Sequence, residues 1–195
     1  MTKDTAHVRR NSLTFRANSL NLLIFLTGVI LGCLLIYFGS TEGDLKLDWI
    51  QEPIYLSKNT ELFWEVLLTD GKFLLLLYLL AFMRPGALLT PTLFGWEGIL
   101  WGTTAAAVAA EMGTRGLVLL ALLFLFRLGI LLPYGFLLGA WSVGQSLAYG
   151  SASAADRKTR MVVLLVTIAV LVIASFLECT LAQWLARIYF LKVGV

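Results

Sequence analysis

Histidine and cysteine are nearly missing from this chain: it has one histidine, His7, and two cysteines, Cys33 and Cys179, in 195 residues. Both cysteines lie inside apolar runs, where the residue ordinarily acts as a small packing group. His7 stands in a polar N-terminal stretch. No cluster with metal-ligand spacing results, so no metal is expected. Charge is scarce as well: 14% of residues are charged against 59% apolar, and mean hydropathy is +0.85. That balance lies well outside the range of soluble domains and puts the chain in a membrane.

Catalytic and ligand-binding signatures are also lacking. There is no G-x-S-x-G, no phosphate-binding loop, no histidine in an apolar run and no aspartate pair at membrane depth. Nor is there an aromatic-basic surface suited to nucleic acid. The expectation is a non-enzymatic protein with no cofactor and no nucleic-acid partner, whose main surroundings are membrane lipid.

Long apolar runs are what the chain does have. A bilayer core of roughly 30 Å takes about 20 helical residues. Five segments qualify, at about 21–38, 71–83, 87–110, 117–143 and 161–186. The fold expected is therefore all-α and integral to the membrane, with five transmembrane helices. A basic tail, 1–20, precedes a single membrane domain, 21–195. "LIYFGST" after the first run offers no A-x-A-like cleavage site, so the first run reads as a retained span rather than a signal peptide.

Lysine and arginine set the orientation. Lys3, Arg9, Arg10, Arg16, Arg84, Arg157, Lys158 and Arg160 all fall on one side if the N-terminus is cytoplasmic. Glu42, Asp44, Asp48, Glu52, Glu61, Glu65, Asp70 and Glu111 then fall on the other. Five spans place the C-terminus outside, against the sign of Arg187 and Lys192. The outer loop, 39–70, contains a short amphipathic helix capped by Asn59, with Glu61 in its first turn. Leu62, Phe63, Val66 and Leu67 line its apolar face and Trp64 sits beside them, which suits an interfacial helix or a partner-docking surface.

Three charges lie deep within the spans. Arg127 is about 11 residues down the fourth span and Glu97 about 10 residues into the third, each roughly 15 Å at 1.5 Å per residue. Glu178 lies about 25 Å up the fifth by the same measure. A charge at mid-bilayer costs at least about 2.5–3.5 kcal/mol when it faces lipid. Arg127, Glu97 and Glu178 are therefore expected to face the bundle interior as a charge cluster, with Arg127–Glu97 the leading pair. The cluster reads as a staple between helices, a proton or substrate relay, or a contact to a partner's helix. Small residues repeat at Gly28/Gly32, Gly98/Gly102 and Gly135/Gly139, spacings that let helix backbones approach within the chain or between copies in a homo-oligomer. Internal packing is the reading favoured here. Pro133 interrupts the fourth span and is expected to kink it.

The segment from Glu97 to Leu147, "EGILWGTTAAAVAAEMGTRGLVLLALLFLFRLGILLPYGFLLGAWSVGQSL", resembles the core of the stage II sporulation protein M family. Gly98, Gly102, Gly113, Gly116 and Pro133 match that family's glycine spacing, glycine turn and isoleucine-proline step. "ASFLECTL" is similar to its serine-rich approach to a membrane glutamate, at Glu178. Arg127 and Glu97 stand where the family is more often polar uncharged and basic, respectively, which fits an exchange of charges at related depth. The resemblance implies a scaffold in the bacterial inner membrane, at the sporulation septum. It would recruit and localise two peptidoglycan hydrolases during engulfment, an amidase/endopeptidase and a lytic transglycosylase. The reading from a different class is a small permease-like subunit that uses the intramembrane charges.

Overall fold

The computed structural model describes residues 3–39, 59–148, 157–182, 184 and 188; the side chains of 3–15, 59–62, 119, 123 and 182 fall outside that description. The described residues are helical apart from short turns, with no strand among them. In chain order the elements are α1 (Lys3–Gly39), α2 (Asn59–Leu80), α3 (Gly86–Leu123), a π-helical turn (Arg127–Leu131), α4 (Leu132–Leu147), α5 (Arg157–Leu177) and a second π-helical turn (Glu178–Ala182).

Polar residues are buried and large apolar ones exposed to an extent unlike a water-soluble bundle. Asn21, Thr90, Ser142 and Ser175 are fully buried, whereas Leu23, Leu88 and Leu165 are 62%, 78% and 66% exposed. Polar and small residues share the helix contacts with an apolar core while many other leucines face outward, an arrangement expected where the surroundings are hydrocarbon. Three stretches, Arg16–Gly39, Arg127–Leu147 and Arg157–Leu181, are long and apolar enough to cross a membrane. α2 carries Glu65, Asp70 and Lys72, and the first part of α3 is rich in glycine, alanine and threonine. These compositions make both weaker as isolated spans.

The helices alternate in direction along the chain. Gly28 meets Gly95 and Gly32 meets Gly102, so α1 and the first part of α3 run parallel. Tyr78 stacks on Trp141 and Asp70 pairs with Arg127, so α2 runs parallel to the fourth helical stretch. Phe94 stacks on Phe136 and Thr90 bonds Ser142, so α3 opposes α4; Tyr134 bonds Thr167, while Arg127 and Glu178 lie near one another, so α5 opposes it too. Gly113, at φ 62° and ψ −147°, reverses the chain inside α3. Only glycine adopts such a backbone without strain. After the turn Gly116 packs back on Val108 and Met112. α4 is central, packed on α1, α2 and α3, and the π turn before it touches α5. Phe25, Leu74, Leu77, Phe94, Leu131, Leu138 and Ala174 form the core around it.

The helices run past several of the boundaries read from the sequence. The segment expected as a tail up to residue 20 is helical from Lys3 and continuous with the first span. The interfacial helix, read as running into the second span, and that span form one unbroken helix, α2. Propensity favours the continuity, because between Asn59 and Leu80 there is no proline and the one glycine is Gly71. Gly71 also admits α5, since a β-carbon there would meet Leu171 Cδ2 at 3.2 Å. The kink at Pro133 is a π turn just upstream: the Leu132 N–H donates to Arg127 O, five residues back. Proline has no N–H to continue the regular ladder, and the widened turn absorbs the gap. Loop residues 40–58 and the placement of Arg187 and Lys192 lie outside the described residues.

Candidate functional site: an intramembrane charge cluster

Arg127 opens the first π turn and Glu178 opens the second. Both turns fall at the same level of the bundle, and each charge lies within electrostatic reach of the other. The direct partner of Arg127 is neither residue expected from the sequence. Its Nη2 donates to Asp70 Oδ1 on α2, in an ion pair whose side chains are 18% and 7% exposed. The expected Arg127–Glu97 pair is therefore corrected to Arg127–Asp70.

Glu97 remains part of the site. Its Oε1 accepts a 3.1 Å hydrogen bond from Trp101 Nε1, one turn along α3. The Trp101 ring lies 5.2 Å from that of Phe124, and the Arg127 guanidinium sits 5.4 Å from the Phe124 centroid and 6.0 Å from that of Trp101. Arginine delocalises its charge over a plane that stacks on aromatic faces, so these rings replace part of its lost hydration. Asp70, Glu97, Arg127, Trp101, Phe124 and Thr104 all line one partly open cavity of about 200 Å³. Asp70 Oδ2 and Glu178 Oε2 are buried with no hydrogen-bond partner among the described residues.

Sequence reasoning missed Asp70 because it placed that residue at the end of the outer loop. The signal was present: Asp70 and Lys72 are the only charges between Glu65 and Arg84. Depth counted from a span beginning at Gly71 left Asp70 out of the comparison with Arg127.

The small-residue motifs lie at contacts within the chain. Gly98 and Gly102 approach the α1 backbone at Phe25 and Val29, facing Gly28 and Gly32. Cys33 Sγ donates to Gly102 O at 3.4 Å in the same seam. Gly135 faces Phe73 and Leu74, and Gly139 faces Phe94 and Asn21. Pro133 is exposed at the start of α4. On α2, Phe63, Val66 and Leu67 are half-buried, while Trp64 is 60% exposed with its ring edge-on to Phe63. The backbone of Asn59 and Leu62 is helical, and their side chains lie outside the described residues.

At the opposite end of the bundle Ser146 ties the turn between α2 and α3. Its Oγ accepts from the Ala87 N–H at 2.9 Å and faces the carbonyls of Met83 and Arg84 at 2.7 and 3.1 Å. The sequence reading did not single out Ser146. No group of three or more metal-binding side chains occurs among the described residues. No protein-family model, curated protein or solved structure matches the chain.

Proposed function

We propose that the chain is a five-crossing scaffold of the bacterial inner membrane, N-terminus in the cytoplasm, that holds peptidoglycan hydrolases at the septal membrane during endospore engulfment. The carrying observation is the continuity of α2. Phe63, Trp64 and Leu68 project from the same rigid helix that Asp70 anchors to Arg127 in the bundle core. A surface presented in this way transmits position from the membrane domain to a bound partner without a hinge. The alternating helix directions support five crossings. Arg84, Arg157, Lys158 and Arg160 gather at one end, which supports a cytoplasmic assignment for that end. The resemblance at Gly98, Gly102, Gly113, Gly116, Pro133 and Glu178 supplies the cellular role.

Crosslinking in sporulating cells, followed by identification of co-purified proteins, tests this reading. Recovery of an amidase/endopeptidase or a lytic transglycosylase, lost when Trp64 and Leu68 are replaced by serine, supports the scaffold. Recovery of transporter subunits with no hydrolase overturns it.

The charged cavity favours a second reading, a small permease-like subunit in which Arg127, Glu97 and Glu178 serve a substrate or proton path. Glu97→Gln separates the two. A scaffold keeps its partners with this change, whereas a carrier loses transport while remaining folded.

A further inference from the structure

Charge is unbalanced around the cavity. Asp70, Glu97 and Glu178 bring three carboxylates to one level of the bundle, and Arg127 is the one cation of the cluster. Lys72 is exposed two positions along α2 from Asp70, a spacing that does not face the same side of a helix. Glu65, Glu111 and Arg115 are also exposed. Uncompensated negative charge at membrane depth is costly, so the site favours a positive guest.

The lining fits a particular kind of cation. Asp70 is 6% exposed and contributes to the cavity wall, its Oδ2 buried without a partner among the described residues. Glu97 has one oxygen engaged by Trp101. The remaining walls are largely apolar or aromatic, including Phe73, Leu100, Trp101, Phe124 and Leu131. A cavity of about 150 Å³ accommodates a benzene ring, so about 200 Å³ accepts a stem of a few carbons with its head group.

We propose that this cavity binds a small organic ammonium, its cationic head held by the Glu97 carboxylate and its stem packed on Trp101 and Phe124. Arg127 is not the ligand's partner. It is engaged by Asp70, which leaves Glu97 as the carboxylate of the cavity wall without a cationic partner among the described residues. The inference is independent of the scaffold reading, and for the permease-like reading it names the substrate class. Two sources carry this chemistry, a soluble amine and the head group of an aminophospholipid.

The test uses the full chain, purified in detergent, with ethylammonium and butylammonium as probes at constant ionic strength and butyrate as the control of opposite charge. Calorimetric titration is expected to give saturable binding of the ammonium ions and none of butyrate. Glu97→Gln keeps an oxygen for the Trp101 hydrogen bond and is expected to weaken ammonium binding by about tenfold or more, the loss of one charged contact. Repeating the titration in nanodiscs with and without phosphatidylethanolamine assigns the source. Suppression of probe binding by that lipid identifies a head-group site, and unchanged binding identifies a soluble amine; both uphold the cation site. Absence of saturable binding by the wild-type chain, or equal binding by wild type and Glu97→Gln, overturns it.

Discussion

Gly102 of α3 lies against the backbone of Val29 of α1, so close that a β-carbon added there would stand 2.9 Å from the Val29 Cα. Gly28, Gly32 and Gly98 make equivalent approaches along the same seam. With lipid outside and no water to expel, helices gain association energy mainly from such close packing. The α1–α3 contact is therefore the part of the fold most sensitive to side-chain volume.

Gly102→Val is expected to destabilise the protein by about 1–3 kcal/mol or more, the usual range for overpacking a tight contact. Gly144, with nothing within 4 Å of its added β-carbon, is the control. Gly144→Ala is expected to be neutral or to stabilise by up to about 1 kcal/mol through helix propensity. Thermal unfolding in detergent distinguishes the two, and equal effects would refute the seam.

The ion pair makes a second, separable claim. Removing either partner strands the other as a buried charge, so Asp70→Leu and Arg127→Leu are each expected to cost about 3–5 kcal/mol. The double variant removes both charges and is expected to cost less than the sum of the two singles, by a coupling of about 1–3 kcal/mol. A parallel cycle with Glu97→Leu and Arg127→Leu is expected to show weaker coupling, because Glu97 bonds Trp101 instead. Stronger coupling in the Glu97 cycle would restore the pairing first read from the sequence.

Ser146 is predicted to hold the α2–α3 turn. Ser146→Ala leaves the Ala87 N–H without its acceptor, a loss of about 1 kcal/mol for a part-buried hydrogen bond. Hydrogen exchange resolved at Ala87 should accelerate in the variant. An unchanged rate would show that the serine is dispensable.

Trp64 separates stability from recruitment. Its ring is 60% exposed, and exposed substitutions usually change stability by less than about 0.5 kcal/mol. Trp64→Ala is therefore expected to unfold like the wild type yet recover less hydrolase in crosslinked cells. Unchanged recovery would remove this residue from the docking surface.

The charge cluster shows how far sequence reading reached. Arg127, Glu97 and Glu178 were legible because a charge in a long apolar run is conspicuous and expensive. Asp70 was hidden because it sits beside Gly71, where a composition change resembled the end of a loop. Which carboxylate meets Arg127 was equally hidden. Several carboxylates compete at similar depth, and depth along a helix does not fix the direction in which its face points.

The sequence by itself determined an all-helical chain with long apolar segments, the small-residue spacings and the presence of costly internal charges. These follow from local composition and from the 3.6-residue period of a helix. Tertiary structure alone decided that α1 and α3 share a glycine seam and that Asp70 rather than Glu97 neutralises Arg127. Those outcomes depend on helix rotation and on the π turns at Arg127 and Glu178, which re-aim a side chain by shifting the register of the helix that carries it.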